Sequence, residues 1–104
     1  MEISTDRLNG LFGSRLASLR RAKGVSQSEL GKRMGLSRTT IANLERGVQN
    51  VQLHQVFTLA HALDADPKAL IPSWNEVVPE SARQDDLVLE ILRERLTRLT
   101  GDSK

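Results

Sequence analysis

The chain has 104 residues, a formal net charge of +2, 38% hydrophobic residues and no cysteine. These values fit one compact domain with an added segment, and they exclude a disulfide scaffold, a thiolate metal site and a cysteine nucleophile. No apolar run approaches the roughly 20 residues of a membrane-spanning helix and no signal peptide opens the chain. We therefore expect a cytoplasmic protein without a membrane partner, associated with the nucleoid if it binds DNA.

The charge is unevenly distributed along the chain. Residues 1–50 carry nine Lys and Arg against four Asp and Glu, a net +5, whereas residues 51–104 carry six against nine, a net −3. A basic first half is compatible with contacts to DNA phosphates, although asymmetry of this size is also common on ordinary solvated surfaces. Runs of β-branched and aromatic residues with period two are absent, so an all-α fold is predicted.

The N-terminal region is predicted to form an arm over residues 1–10 and then a helix. The helix starts near Leu11, where apolar residues such as Phe12 and Leu16 begin to recur with helical spacing. Gly24 marks its end, because glycine adopts the left-handed backbone conformation that commonly terminates helices.

Two short helices joined by a glycine turn are predicted over residues 26–47. Ser26 begins the first, where Glu29 three residues later matches the capping box, and Gly35 suits its end. Ser37 caps the second helix. The residues expected to build this hairpin are Leu30, Gly31, Met34, Leu36, Ile41 and Leu44, with Gly31 at a close approach between the two helices.

Two more helices are predicted before a linker. The fourth lies near Leu53–Leu63, and the fifth starts at Asp66 and Pro67, a favourable cap and first residue, and ends near Ile71. The apolar stripe predicted for the fourth helix consists of Leu53, Val56, Phe57, Ala60 and Leu63. Residues 72–84 contain two prolines and are predicted as a linker.

The last segment, residues 85–104, is predicted to form an amphipathic helix from about Asp85 to Leu99. Its apolar stripe consists of Val88, Ile91, Leu92, Leu96 and Leu99. This stripe either folds back onto the domain, covering Trp74, or pairs with a second copy of the chain. Dimerisation is favoured, because an uncovered apolar stripe has few other reasons to exist on a monomer.

The segment Gln27–Arg46 resembles the helix-turn-helix of the lambda-repressor-like and Cro proteins, also called the XRE family. The resemblance rests on the capping serines, the glycine turn, the apolar positions and the ending Glu45-Arg46-Gly47, and it extends over residues 11–71. It implies an all-α fold of five helices that binds DNA, to which this chain adds its C-terminal amphipathic helix. In such a domain the second helix of the motif enters the major groove.

The resemblance also implies roles for individual residues. Base contacts are expected from Arg38, Thr39, Thr40 and Asn43, since arginine pairs with guanine, asparagine with adenine, and the threonine methyl touches thymine. Contacts to the DNA backbone are expected from Gln27, Arg15, Lys32, Arg46, Gln49 and Asn50. Arg20 and Glu45 are expected to form a structural ion pair between the first and third helices. Each of the DNA-contacting residues could otherwise be an ordinary solvated side chain.

The leading hypothesis is a sequence-specific transcriptional regulator, acting as a repressor or autoregulator on palindromic double-stranded DNA as a homodimer. One alternative is an antitoxin whose C-terminal segment binds a toxin protein. Another is a protein-interaction adaptor that reads no DNA sequence. Enzymatic activity is not expected, since no catalytic constellation is present. Neither a cofactor nor a metal is expected, because His54 and His61 lack a third ligand.

Overall fold

The computed structural model describes residues 3–78 and the backbone of 80–99, with side chains in the last helix from residue 88 onward. The described chain consists of helices α1 (Thr5–Ala22), α2 (Gln27–Met34), α3 (Arg38–Arg46) and α4 (Leu53–Ala62), a 3₁₀ turn (Pro67–Ala69), α5 (Trp74–Val77) and α6 (Glu80–Leu99). The predicted all-α class is confirmed. No helix in these ranges is long and apolar enough to cross a membrane.

Helix α1 begins six residues before the predicted start. The Ser4 hydroxyl accepts a hydrogen bond from the Arg7 backbone N–H at 3.2 Å, and Asp6 places a negative charge in the first turn. Both interactions stabilise a helix N-terminus. The arm predicted over residues 1–10 is therefore wrong for residues 5–10, which are helical.

Helices α2 and α3 begin and end where the sequence predicts. The hydroxyls of Ser26 and Ser37 accept hydrogen bonds from backbone N–H groups three residues later, each at 3.0 Å. Gly35 and Gly47 close the two helices with φ angles of +70° and +76°. Only the serine half of the predicted capping box forms here, because the Glu29 carboxylate accepts from an arginine one turn later instead.

The hydrophobic core lies among α1, α2, α3, α4 and the 3₁₀ turn. Fully burying one leucine stabilises the fold by about 1.5–3 kcal/mol, so this cluster of mainly aliphatic side chains contributes strongly to the stability of the fold. Met34 and Leu36 are partly buried against it. The buried members of the cluster are Phe12, Leu16, Val25, Leu30, Ile41, Leu44, Val56, Leu59, Ala60, Leu63 and Leu70.

Helix α4 buries three of the five residues of the predicted stripe, Val56, Ala60 and Leu63. Leu53 and Phe57 are 73% and 55% exposed, whereas Leu59, which the predicted stripe omits, is completely buried. Val56 and Leu63 share the buried face with Leu59. Packing against α2 and the 3₁₀ turn selects this face and leaves two large apolar side chains in solvent.

The predicted fifth helix is a single 3₁₀ turn. Asp66 caps it as expected, its carboxylate accepting from the Lys68 backbone N–H at 2.8 Å. The turn spans only Pro67–Ala69 and is followed by Leu70, which is fully buried in the core.

The linker predicted over residues 72–84 is also incorrect, since residues 74–77 form α5 and α6 begins at Glu80. Helix α5 packs against α1 and buries Val77, with Val78 buried directly after it. The side chain of Trp74 is 52% exposed, so it is not covered by the last helix.

Helix α6 begins five residues earlier than predicted and does not fold back onto the domain. Every side chain described in it, from residue 88 to residue 99, is exposed. Among them, Leu92 is 48% exposed and Leu99 is 81% exposed. Its apolar stripe is therefore uncovered in the single chain.

Candidate nucleic-acid interface

The exposed side of α3 carries the residues predicted to read DNA bases. Ile41 and Leu44 anchor the helix in the core and are at most 1% exposed. Arg38 and Thr39, in the first helical turn, are exposed to solvent. Asn43 is half-buried one turn later. The helix therefore presents a guanidinium and a small hydroxyl-bearing side chain at its N-terminal end, on a rigid support.

The turn between α2 and α3 leaves no space for a side chain at Gly31. A Cβ atom at this position would lie 2.6 Å from the carbonyl oxygen of Leu36. The predicted close approach is present, although the neighbouring atom belongs to the turn and not to the facing helix. This contact fixes the angle at which α3 leaves α2.

A buried hydrogen-bond network links α1, α2 and α3. The predicted ion pair is present: Arg20 Nε lies 2.6 Å from Glu45 Oε2, and Arg20 Nη2 lies 3.1 Å from Glu45 Oε1. Arg20 Nη1 also donates to the carbonyl oxygen of Val25 at 2.9 Å. The side chains of Arg20 and Glu45 are 10% and 5% exposed. The hydrogen bond that Arg20 donates to Glu45 raises the pKa of Arg20, against the opposing effect of burial.

Gln27 extends this network to the protein surface. Its Nε2 atom donates to Glu45 Oε1 at 2.9 Å, so the carboxylate receives bonds from both Arg20 and Gln27. The amide of Gln27 has two hydrogens, and this bond uses one of them. The second hydrogen can meet a phosphate while the first holds the side chain in place. The sequence places Gln27 at the start of α2 but carries no sign of this bond.

Three of the other predicted contact residues already have partners within the protein. Asn43 Oδ1 accepts from Arg46 Nη2 at 3.0 Å, one turn along α3. Asn50 Oδ1 accepts from Asn9 Nδ2 at 2.6 Å, which joins the loop after α3 to α1. Asn9 was not predicted as part of the site, because its separation of 41 residues from Asn50 gives no sequence signal.

The remaining predicted contacts are exposed or partly exposed. The side chains of Lys32 and Gln49 are exposed, and Thr40 is half-buried with its hydroxyl 2.9 Å from the Ser37 hydroxyl. Lys32 lies in the last turn of α2, and Gln49 lies in the loop that follows α3.

Arg15, predicted to contact a phosphate, is paired with a carboxylate of the same chain. Its Nη2 atom lies 2.7 Å from both carboxylate oxygens of Glu76, and Arg7 Nε donates to the Glu76 backbone oxygen. The backbone N–H of Ser73, the Arg15 guanidinium and the Ser73 hydroxyl together lower the pKa of Glu76 to about 2. Arg15 therefore anchors α5 to α1, and the predicted phosphate contact would require it to leave Glu76.

No group of three or more His, Cys, Asp or Glu side chains that could hold a metal ion occurs in the described part of the chain. His54 and His61 are both exposed on α4. The surface features of the helix-turn-helix are instead the exposed N-terminal turn of α3 and the exposed cationic side chain of Lys32 on α2.

A family model described as a helix-turn-helix domain matches residues 11–74, more than half of the chain. The protein belongs to the lambda-repressor-like (XRE) family of helix-turn-helix DNA-binding proteins. An uncharacterized HTH-type transcriptional regulator of Sinorhizobium fredii, y4dJ, is 38% identical over 66 residues, which cover 64% of this chain and 86% of that protein.

Two solved structures extend the comparison. The restriction-modification controller protein C.AhdI from Aeromonas hydrophila is 44% identical with a TM-score of 0.58, and the match covers 61% of this chain and 96% of C.AhdI. The clp gene regulator ClgR from Corynebacterium glutamicum is 27% identical with a TM-score of 0.59, covering 92% of this chain and 93% of ClgR. The XRE domain is thus shared with C.AhdI, and the similarity to ClgR extends over most of the C-terminal region as well.

Proposed function

We propose that this XRE-family protein is a sequence-specific transcriptional regulator that binds palindromic DNA as a homodimer and acts as a repressor or autoregulator. The observation that carries the proposal is the exposed pair Arg38 and Thr39 on a helix whose other side is fixed in the core. Such a helix can enter the major groove without rearrangement of the fold.

Base reading would start at the N-terminal turn of α3. The guanidinium of Arg38 can donate two hydrogen bonds to the O6 and N7 atoms of a guanine, and the methyl group of Thr39 can contact a thymine. Asn43 would have to release the bond from Arg46 before its amide could pair with both N6 and N7 of an adenine. Arg46 would then be free to contact a phosphate.

Backbone contacts would come from Gln27 and Lys32. Glu45 holds the amide of Gln27 at the first residue of α2, where the helix dipole also favours a bound phosphate. Lys32 adds a positive charge on the same helix. These contacts carry no base information, but they set the register of α3 on the duplex.

Dimerisation is proposed because one domain of this size makes few base contacts. A two-fold dimer doubles the contacts and matches a palindromic site with half-sites one helical turn apart. The uncovered apolar side chains of α6 offer a surface for the second subunit. Repression would follow from occupation of a promoter.

The proposal is tested by selecting bound sequences from random DNA duplexes and measuring the affinity of variants for the selected site. Arg38→Ala should weaken specific binding by about 1–3 kcal/mol and relax preference at one base position. Arg38→Lys, which keeps the charge but loses the bidentate geometry, should retain non-specific binding and lose the same preference.

Lys32→Ala should weaken binding to all sequences alike and lower the salt dependence by about one phosphate contact. Lys68 provides a matched control, since it is an exposed lysine on the 3₁₀ turn, outside the helix-turn-helix motif. Equal effects of Lys32→Ala and Lys68→Ala would contradict the proposed backbone contact. Selection that yields no enriched sequence would contradict sequence-specific binding itself.

A further inference from the structure

The apolar surface of α6 contains a leucine repeat with the spacing of a paired helix. Leu89, Leu92, Leu96 and Leu99 follow one another at intervals of three, four and three residues. This is the spacing of the two apolar positions in the seven-residue repeat of coiled coils. The four side chains are 52%, 48%, 60% and 81% exposed, so the single chain leaves them without cover.

The two halves of α6 carry opposite net charge. Residues 80–90 contain four acidic residues and one basic residue, a net charge of −3. Residues 91–99 contain three basic residues and one acidic residue, a net charge of +2. The net charge along the helix therefore changes from negative to positive close to its midpoint, between Glu90 and Arg93.

We propose that two copies of this chain pair through α6 in antiparallel orientation, an inference that rests on the homodimer of the proposed function. Antiparallel pairing places the acidic half of each helix beside the basic half of the other. Parallel pairing would place the two acidic halves side by side, and likewise the two basic halves. The helix dipoles also attract in the antiparallel arrangement and repel in the parallel one.

The seven-residue repeat fixes the alignment of the pair. With the two-fold axis crossing near residues 90 and 91, Leu89 of one helix lies opposite Leu92 of the other. The same alignment sets position 82 opposite Leu99 and position 85 opposite Leu96, so the repeat continues toward the start of the helix with one aspartate, Asp85, at an apolar position.

The antiparallel arrangement also suits the spacing of a DNA site. A helix of 20 residues is about 30 Å long at 1.5 Å per residue. The N-terminal ends of the two α6 helices, from which the DNA-binding domains extend, would therefore lie about 30 Å apart. This separation is close to the roughly 34 Å between half-sites one turn apart on B-DNA.

Charge reversal distinguishes the two orientations. Replacing Arg93 and Arg95 with Glu makes both halves acidic, and we expect the dimer dissociation constant, measured by analytical ultracentrifugation, to rise about tenfold. Replacing Asp86 and Glu90, which lie outside the apolar repeat, with Arg in the same chain should restore the dissociation constant to within about threefold of the original. Circular dichroism confirms that helix content is kept.

If the first pair of substitutions leaves the affinity unchanged, or the second pair fails to restore it in a chain of unchanged helix content, the antiparallel assignment is wrong. The full-length chain is used throughout.

Cysteine cross-linking gives an independent readout, since the natural chain has no cysteine. In the antiparallel pair the two copies of residue 99 are separated by 17 helical steps, about 25 Å, which is too far for a disulfide. Leu99→Cys alone should therefore not cross-link, whereas a mixture of Leu99→Cys and Ala82→Cys chains should give a disulfide between subunits.

Three results would overturn the inference. Rapid cross-linking of Leu99→Cys with itself would show a parallel dimer and would leave the proposed homodimer intact. Failure of the mixed chains to cross-link in a dimeric sample would place the interface outside α6. A chain that stays monomeric at concentrations of tens of micromolar would contradict the homodimer as well as its orientation.

Discussion

Gly13 lies where α1 crosses the last turn of α3. Replacing Gly13 with alanine tests whether this contact fixes the position of α3, the helix proposed to read DNA bases. A Cβ atom at Gly13 would lie 2.7 Å from the carbonyl carbon of Glu45, and its nearest neighbours are the carbonyl oxygens of Leu44 and Glu45. These are backbone atoms of a helix whose Leu44 is buried and whose Glu45 is paired with Arg20. The obstacle therefore cannot move aside as a flexible side chain would.

Two effects of opposite sign determine how much Gly13→Ala changes the free energy of unfolding. Alanine is favoured over glycine within a helix by about 0.8–1 kcal/mol. Overpacking a dense core costs about 1–3 kcal/mol, and the rigid backbone neighbours place Gly13→Ala at the upper end of that range. The net loss of stability is then about 2 kcal/mol, which lowers the melting temperature by about 8–16 °C in a domain of this size.

Gly10 provides a matched control one turn earlier in the same helix. A Cβ atom at Gly10 would meet no heavy atom within 4 Å. Gly10→Ala should therefore stabilise the fold by about 0.5–1 kcal/mol through helix propensity alone. Both changes are measured by thermal unfolding followed by circular dichroism.

The two substitutions should also differ in DNA binding. Gly13→Ala should displace α3 and reduce the affinity for the selected site at temperatures where the variant is folded, while Gly10→Ala should leave the affinity unchanged. A Gly13→Ala protein that is as stable as the natural protein would refute the proposed steric limit. A destabilised but fully active variant would show that the contact does not position α3.

Three further predictions concern charged residues and the last helix. Glu45→Ala should lower the free energy of unfolding in urea by about 3–5 kcal/mol because Arg20 is left buried without its partner; a loss under 1 kcal/mol would show that the pair is not buried in solution. The pKa of Glu76 is about 2, below its ordinary value of 4.5, so its ion pair contributes fully above pH 4.5 and is lost as the pH falls toward 2. Fluorescence of Trp74, the only tryptophan, should therefore change in that interval, and a Glu76→Gln protein that shows the same transition would exclude Glu76 as its cause. Truncation after Asp85 should give a monomer by light scattering with an unchanged melting temperature of the domain, whereas a truncated dimer would place the interface on the exposed apolar side chains of α4.

The helix-turn-helix could be predicted because its determinants are local. The serine caps at Ser26 and Ser37 and the glycine at Gly35 act on backbone groups within three or four residues, so they are visible as short patterns. The resemblance to the XRE family also allowed the ion pair between Arg20 and Glu45 to be predicted, although no local sequence pattern indicates it.

The sequence-based predictions were incomplete where contacts between segments far apart in the sequence determine the packing. Helix α4 is apolar on more than one side, so its buried face depends on packing, which selects Leu59 over Phe57. The ion pair of Arg15 could not be predicted either, because its partner Glu76 lies 61 residues later in the sequence. For α5 a local signal existed, because Ser73 and Glu76 form a capping box, but the neighbouring prolines suggested a linker instead.

In the proposed dimer, the uncovered stripe of α6 would make the level of the protein part of its regulation. The leucines of α6 would lose contact with water only when two chains meet, so the extent of assembly would depend on concentration, whereas the folding of the domain over residues 5–78 would not. A regulator assembled in this way occupies its operator in proportion to the square of the monomer concentration when the dimer is scarce. An autoregulator of this kind would switch its own promoter over a narrow range of synthesis rates, with the strength of the α6 pairing as the quantity that sets the threshold.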